Sequence, residues 1–410
     1  MSYTSYKISD IGEVVGGSTP STKDLNNYCK HGVPWITPYD LSNHNSRYIS
    51  RGERDISLAG ASSISAKMLP AGSVLFTSRA PIGYVAIAKN ELCTNQGFKS
   101  IIPNDKVASD FLYYLLKSTA TNIASYGSGA TFKEIPGSVM RNITLPIPSM
   151  KTQHKIAGVL SALDDKIELN DKINQKLNEL ARLIYDYWFV QFDFPDEHGH
   201  PYRAGGGKMV YSDLLKRKIP AGWTVEHLDK ILTFQRGTEP GSKAYLSNKT
   251  SESCIKFHRV GDMLGNCTTW IDGSIYKLYR VKPSDVLVSF DATIGRISTC
   301  IDGAISGGIR HIYDPSERIS SAFIWQLFQS QRIQDQMLQF VSGRGSSLAH
   351  AGGVIKDLAI PYNKTSIQKY QDIVNPIYQL YINNQLESQQ LAQLRDWLLP
   401  MLMSGQVVVK

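Results

Sequence analysis

Ser73-Val74-Leu75-Phe76-Thr77-Ser78-Arg79-Ala80-Pro81-Ile82-Gly83 returns later in the chain as Asp285-Val286-Leu287-Val288-Ser289-Phe290-Asp291-Ala292-Thr293-Ile294-Gly295. Each copy is an apolar run followed by a polar turn that ends on glycine. Outward from this pair, Gly127-Ser128-Gly129 returns as Gly343-Arg344-Gly345, and Ile147-Pro148 as Ile360-Pro361. Leu177, Leu180 and Ile184 return as Leu391, Leu394 and Leu398. The separation between copies is nearly constant across half the chain, which chance similarity does not produce. A period this long marks a duplicated domain rather than a solenoid unit. Function is therefore sought in what two copies of one module do together.

Each copy mixes strand and helix signals. Val74-Leu75-Phe76-Thr77, Val85-Ala86-Ile87-Ala88 and Val286-Leu287-Val288-Ser289 read as strands. Asp110 to Leu116 and Ala322 to Phe328 read as helices. Between and after the modules the texture changes. From Lys151 to Val190 there is one glycine, Gly158, and no proline. Apolar residues fall at Ile156, Leu160, Leu163 and Ile167, then at Leu177, Ala181, Ile184 and Trp188, the alternating steps of a coiled-coil seam. The C-terminal copy has Tyr370, Val374, Ile377 and Tyr381, then Leu391. About 40 helical residues would make a rod of roughly 60 Å. Pro376 interrupts the second pattern, and a helix break near Asn375 is expected.

The expected fold is α+β: two similar α/β modules, related as an internal pseudo-two-fold repeat, separated by two long antiparallel α-helices that form a coiled-coil spacer. The expected divisions are residues 1–150 for the first module, 151–192 for the central helix and 193–222 for a turn-rich linker. The second module follows at 223–361, and the C-terminal helix and tail at 362–410. Midway along each seam the apolar steps land on polar residues: Asn170 and Asn174, then Asn384 and Ser388. If the pseudo-two-fold axis crosses the rods, Asn170 approaches Asn384. Buried polar groups at a seam weaken a coiled coil but fix its register; the alternative is that both asparagines are exposed.

Bulk properties set limits. A chain of 410 residues has room for two or three domains. Hydrophobic content of 42% and charged content of 20% describe an ordinary globular protein. No apolar run reaches bilayer length, and the first residues lack a signal-peptide pattern, so a cytoplasmic protein without a membrane partner is expected. The five cysteines are nowhere spaced as CxxC, which suits reduced thiols. A net charge of +8 and a pI near 9.0 point to a polyanion, most simply nucleic acid, or else to a slightly basic surface with no partner.

Catalytic signatures are missing. There is no phosphate-binding loop, Rossmann glycine fingerprint, methyltransferase Asn-Pro-Pro-aromatic motif, nucleophile elbow or zinc helix. Pro195-Asp196-Glu197 resembles part of a nuclease motif but lies in the linker. His198 and His200 have no further ligands nearby and read as solvated loop. No catalytic residue and no metal site is expected.

Each module instead has glycine-punctuated turns dense in polar and basic groups. In the first, the candidate DNA contacts are Ser18, Thr19, Lys23, Ser78, Arg79, Asn95, Gln96, Lys99, Ser128, Thr131 and Lys133. In the second they are Arg236, Lys243, Arg259, Arg296, Arg310 and Arg344. Arg and Lys supply phosphate contacts, and Arg, Asn and Gln read base edges. The same segments also read as ordinary hairpin turns with solvated charges. The copies share their framework glycines but not their polar groups: Arg79 aligns with Asp291, and Asn95-Gln96 with Ser306-Gly307. That difference suits two unlike half-sites.

The order module, helix, module, helix resembles the specificity subunit of type I restriction–modification enzymes over essentially the whole chain. Ser78-Arg79-Ala80-Pro81-Ile82-Gly83 with Thr94-Asn95-Gln96-Gly97-Phe98 resembles the core of that family's target-recognition domains. Leu145-Pro146-Ile147-Pro148, Gln153-His154-Lys155-Ile156 and Leu163 to Asn170 look like its central helical region. Gly199-His200-Pro201-Tyr202 and Ile219-Pro220-Ala221-Gly222-Trp223 resemble its passage into the second domain. The second copy departs more, with Phe290-Asp291-Ala292-Thr293 in place of the arginine-containing turn. The resemblance implies a non-catalytic subunit in which each module binds half of a bipartite, asymmetric site on double-stranded DNA. It implies docking of two methyltransferase subunits and of restriction (motor-nuclease) subunits; Tyr187, Phe189, Tyr378 and Trp397 read either as docking candidates or equally as contacts to their own modules. S-adenosylmethionine, ATP and Mg would be bound by those partners, and no cofactor by this chain. Two other readings compete: an assembly scaffold of two protein-interaction modules spaced by a coiled coil, and an enzyme whose motif is unrecognised.

Overall fold

The computed structural model describes all residues except 1–2, 43, 45, 65–66, 80, 130–132, 266, 343–351 and 410, and omits the side chains of 340–342. The chain forms two compact units, Met1–Leu169 with Gln389–Lys410, and Asn170–Ser388. Each contains one copy of the repeat.

In the first unit a five-stranded sheet runs in the order Gly12–Gly16, Lys99–Pro103, Val74–Phe76, Val85–Ala88, Tyr48–Ile49. All pairs are antiparallel except the last. Both faces are covered, so the central strand is apolar throughout. Val74 and Phe76 face one core with Ile87, Ile101 and helix α1 (Ser109–Ser125), whereas Leu75 faces another with Ile36, Ile49 and Phe98. This is the period of two that a strand imposes on its side chains. Helix α1 buries every residue from Phe111 to Leu116. Strand Thr4–Lys7 pairs with Thr144–Ile147, closing the module near the start of helix α2 (Met150–Tyr185).

The second unit repeats this plan. Its sheet runs Thr233–Arg236, Ile309–Tyr313, Val286–Ser289, Ile297–Ser298. The short parallel pair Trp35–Ile36 with Cys93–Thr94 has its counterpart in Cys254–His258 with Gly303–Ile305. Thr224–His227 pairs with Ala359–Tyr362 as the closing strands did before. Helices α3 (Ser321–Gln329) and α4 (Gln331–Ser342) stand where α1 stood.

Helix α2 ends in a π turn at Asp186–Val190. Helix α5 spans Lys364–Met403. Within the second unit, Asn174 meets Tyr381 and Ala181 meets Tyr370, so these segments run antiparallel. Their inner faces join the module's core through Ala181, Tyr185, Trp188, Tyr370, Val374 and Tyr378. Within the first unit, Ile156 and Leu160 of α2 and Leu399 and Leu402 of α5 share the core of the first module.

The break expected near Asn375 does not occur, because α5 continues through Pro376. Pro376 and Asp372 are both exposed, so the carbonyl that the proline leaves without a donor faces water. Two residues to either side, Val374 and Tyr378 are buried and hold the helix to the core. Packing offsets the cost of the lost hydrogen bond, about 3 kcal/mol in a helix interior.

Candidate nucleic-acid interface

Four loops of the first module converge on one edge of its sheet. Gly17 lies so close to the carbonyl oxygens of Thr94 and Asn95 that a Cβ would stand 2.1 and 2.2 Å from them, so only glycine fits. Ser18 N–H donates to the Thr94 carbonyl at 2.9 Å, and the Thr19 hydroxyl bonds the Gln96 carboxamide. The Asn95 side chain accepts from Gly97 N–H at 2.8 Å, an Asx turn that shapes the second loop. Ser78 N–H donates to the Gly97 carbonyl at 2.8 Å and ties in the third loop. The fourth loop joins where Ile135 N–H donates to the Ser78 carbonyl at 3.0 Å, and where Ser128 and Glu134 exchange backbone hydrogen bonds.

Glu134 stands between two cations. The Arg79 guanidinium is 3.8 Å from one carboxylate oxygen and the Lys99 ammonium 3.3 Å from the other. Arg79 and Glu134 are each about a third exposed or more, a setting in which an ion pair contributes at most ~1 kcal/mol. The arginine is held in place yet exchangeable. Lys133 and Gln96 are exposed on the same edge, and Lys23 is exposed farther along the first loop.

The second module rebuilds the same scaffold with other groups. A Cβ on Gly237 would meet the carbonyls of Ile305 and Ser306 at 2.3 Å, as Gly17 would meet its own pair. Thr238 N–H donates to Ile305, and Phe290 N–H to Gly308, both at 2.9 Å. Here Glu239 accepts from Gly307 N–H at 2.7 Å, and Arg236 Nε donates to the Gly307 carbonyl at 2.9 Å. Arg236 and Arg310 face each other in register on adjacent strands. Burial, then the neighbouring Arg236, lowers the Arg310 pKa from its usual value, and its guanidinium lies over the Phe290 ring. Asp291 acts on Arg310 in the opposite sense, and Glu239 shares the Gly307 turn with Arg236, so this edge sets two cations beside two acids. Arg259 pairs with Asp262 at 3.3 Å, and Lys243 is exposed on the turn Ser242–Ala244.

Several sequence expectations are corrected. Ser78 is fully buried and its hydroxyl also bonds the Gly97 carbonyl, so it builds the loop rather than facing a ligand. Arg296 donates to the Val260 carbonyl at 2.9 Å and acts as a strut. Of the four residues open to either docking or contact with their own module, Phe189 and Tyr378 are buried in their own module, whereas Tyr187 and Trp397 are exposed. Thr131 and Arg344 lie outside the described residues. Glu134 and Glu239 were missed; the signal was an acid beside the basic residues of a glycine-rich loop.

At the seam, Asn170 is fully buried. Its Nδ2 donates to Glu387 at 2.8 Å, to Ser388 Oγ at 3.3 Å and to the backbone carbonyl of Asn384 at 3.4 Å. The side-chain pair is Asn384 with Asn174, at 3.0 Å, and Asn174 donates onward to the Tyr381 carbonyl at 3.1 Å. Among the described residues no cluster of three His, Cys, Asp or Glu is placed to hold a metal, and no helix is long and apolar enough to cross a membrane.

Comparison with known proteins agrees with this architecture. The family model described as the type I restriction modification DNA specificity domain matches residues 2–179. The type I restriction enzyme MjaIX specificity subunit of Methanocaldococcus jannaschii is 35% identical, over 98% of this chain and 93% of its own length. The HindI specificity subunit of Haemophilus influenzae is 25% identical, over 83% of this chain and 88% of its own. Among solved structures, the S subunit of a type I restriction–modification system from M. genitalium superposes with a TM-score of 0.60 at 16% identity, covering 98% of this chain and 96% of that one. The duplicated modules, the paired helices and a full-length relative at 35% identity lead to one conclusion: the chain belongs to the family of type I restriction enzyme specificity subunits.

Proposed function

We propose that the chain reads a bipartite, asymmetric sequence on duplex DNA, one half-site per module, and docks the subunits that act on it. The observation that carries this reading is the twinned edge. Gly17 and Gly237 sit on equivalent backbone, yet one scaffold presents Arg79, Gln96 and Lys99 and the other Arg236 and Arg310. The same support with unlike donors suits two unlike half-sites.

In this reading the helices α2 and α5 act as an antiparallel spacer between the modules. The buried Asn170, Asn174 and Ser388, with the half-buried Asn384, set its register, since each bond is satisfied only in one alignment. Two methyltransferase subunits carrying S-adenosylmethionine dock on the chain, with Tyr187 and Trp397 as candidate contacts. Restriction subunits carry ATP and Mg. This chain contributes recognition and no catalysis, and works in the cytoplasm.

Selection from a random duplex library, with the chain reconstituted with its methyltransferase subunits, tests the proposal. Two short conserved blocks separated by a fixed unconserved gap are expected. A single block, or none, rejects it.

A further inference from the structure

The first unit contains a chain of polar groups, buried or largely so at Arg47, Tyr114, Asp164 and Arg395 and reaching the surface at Asp110 and Asp165, that the DNA-reading edge does not use. It ties the module to both of that unit's long-helix segments. Arg47, only 8% exposed, comes from the module. Its Nη2 reaches Asp165 of α2 at 2.9 Å, its Nε faces Asp110 of α1 at 3.3 Å, and its Nη1 donates to the Tyr114 hydroxyl at 3.1 Å. The Tyr114 hydroxyl, from α1, donates in turn to Asp164 Oδ2 of α2 at 2.5 Å. Arg395 of α5 completes the series, its Nη1 2.7 Å from Asp164 Oδ1. Asp164 and Arg395 are both largely buried.

The repeat supplies an internal control. Tyr114 aligns with Gln326, Asp164 with Tyr378, and Arg395 with Ala181. In the second unit these positions carry no charge. Tyr378 packs on Trp325 with ring centroids 5.2 Å apart, and Ala181 offers only its backbone carbonyl, to the Tyr370 hydroxyl at 3.3 Å. Gln326 bonds Asn178 at 3.0 Å. One module is seated on its helices through ions, the other through aromatic rings and amides.

The two seats differ physically. Apolar contacts are non-directional. A buried ion pair adds little net stability, because desolvation cancels much of its attraction, yet separating its partners leaves a buried charge uncompensated. Such a pair specifies geometry more than it stabilises. We infer that Arg47, Tyr114, Asp164 and Arg395 are positioning residues, which fix the tilt of the first module on its helix segments and so the offset at which it reads its half-site. The inference rests on the reading given under Proposed function. One base pair is ~3.4 Å along the duplex, so a tilt that moves the reading edge by that much slips the contact by one step.

The test is the same random-library selection, run with the parent complex and with complexes carrying Asp164→Leu together with Arg395→Met, or Tyr114→Phe alone. The double variant replaces the pair by apolar groups of similar volume, and a melting temperature equal to or above the parent's is expected. Both variants should select the parent's two half-site sequences. The gap between them, single-valued for the parent, should spread to at least one base pair on either side in the double variant, and less in Tyr114→Phe. A merely structural role would lower recovery of all sequences without widening the gap. Folded variants that keep the parent's single gap overturn the inference; should the double variant fail to fold, Tyr114→Phe and Arg395→Lys decide by the same readout. A parent complex that selects no two-part sequence rejects the DNA reading itself, and this inference with it.

Discussion

Arg79 sits beside a carboxylate at a solvent-facing rim, where a guanidinium trades partners at small cost. If it forms a bidentate contact with guanine, Arg79→Ala should weaken binding by about 1–3 kcal/mol and relax only one half of the selected sequence. Equal loss on every duplex would make it a phosphate contact. Ser78→Ala should behave differently. It removes a buried hydroxyl bonded to Gly97, so stability should fall by about 1 kcal/mol while the selected bases stay the same. A thermal melt and a selection on one variant measure both. His258 gives a pH signature. Its Nε2 faces the Asp302 carbonyl, which only accepts, so that nitrogen holds the proton, and Nδ1 is buried without a partner among the described residues. Burial therefore holds the imidazole below its ordinary pKa. The folded state binds fewer protons than the unfolded one. This stability is complete above about pH 6.5 and declines as pH falls below it. The melting temperature should drop between pH 7.5 and 5, and His258→Gln should flatten that slope; an unchanged slope would assign it elsewhere.

The helices were the part most legible in the chain. Seam positions such as Ile156, Leu160, Ala181, Tyr370 and Val374 repeat with helical spacing, and the structure buries them. Local periodicity carries that information, so no partner need be known to read it. Pro376 was misread for the complementary reason. Its effect on the helix depends on which face it occupies and on how firmly Val374 and Tyr378 are packed, which are tertiary facts. Pro376→Ala restores a donor to the Asp372 carbonyl and should raise stability by about 1–3 kcal/mol, toward the lower end because water already solvates that carbonyl. A guanidinium titration of both forms measures it. Asn174→Ala should cost about 1 kcal/mol, since it leaves the Asn384 amide without its side-chain acceptor and removes the extra donor to the Tyr381 carbonyl.

For the whole molecule, the duplication was visible because framework glycines are constrained by backbone geometry. Gly83 and Gly295, which end the repeated turn, both sit at positive φ, 105° and 80°, a backbone conformation that other residues rarely adopt, so both copies carry glycine there. Which loop residues point outward was not visible. The inward turn of Ser78 and the strut role of Arg296 are set by partners remote in sequence. The buried series through Arg47 was hidden for the same reason, its successive members lying 67, 50 and 231 residues apart. With a net charge of +8 spread over two modules, the isolated chain should bind duplex weakly, with few phosphate contacts and a correspondingly shallow salt dependence. Affinity measured across a salt series, with and without methyltransferase subunits, should show both a tighter constant and a steeper slope in the complex.

The first unit borrows residues 389–410 from beyond the second. Leu399, Leu402 and Met403 fill its core, and the Tyr3 hydroxyl reaches the Leu402 carbonyl. During translation the first of the two modules must therefore wait, with an open apolar flank, until the ribosome has passed through the second. A stop before this stretch would leave the first module's own residues in place yet strip its core of Leu399, Leu402 and Met403.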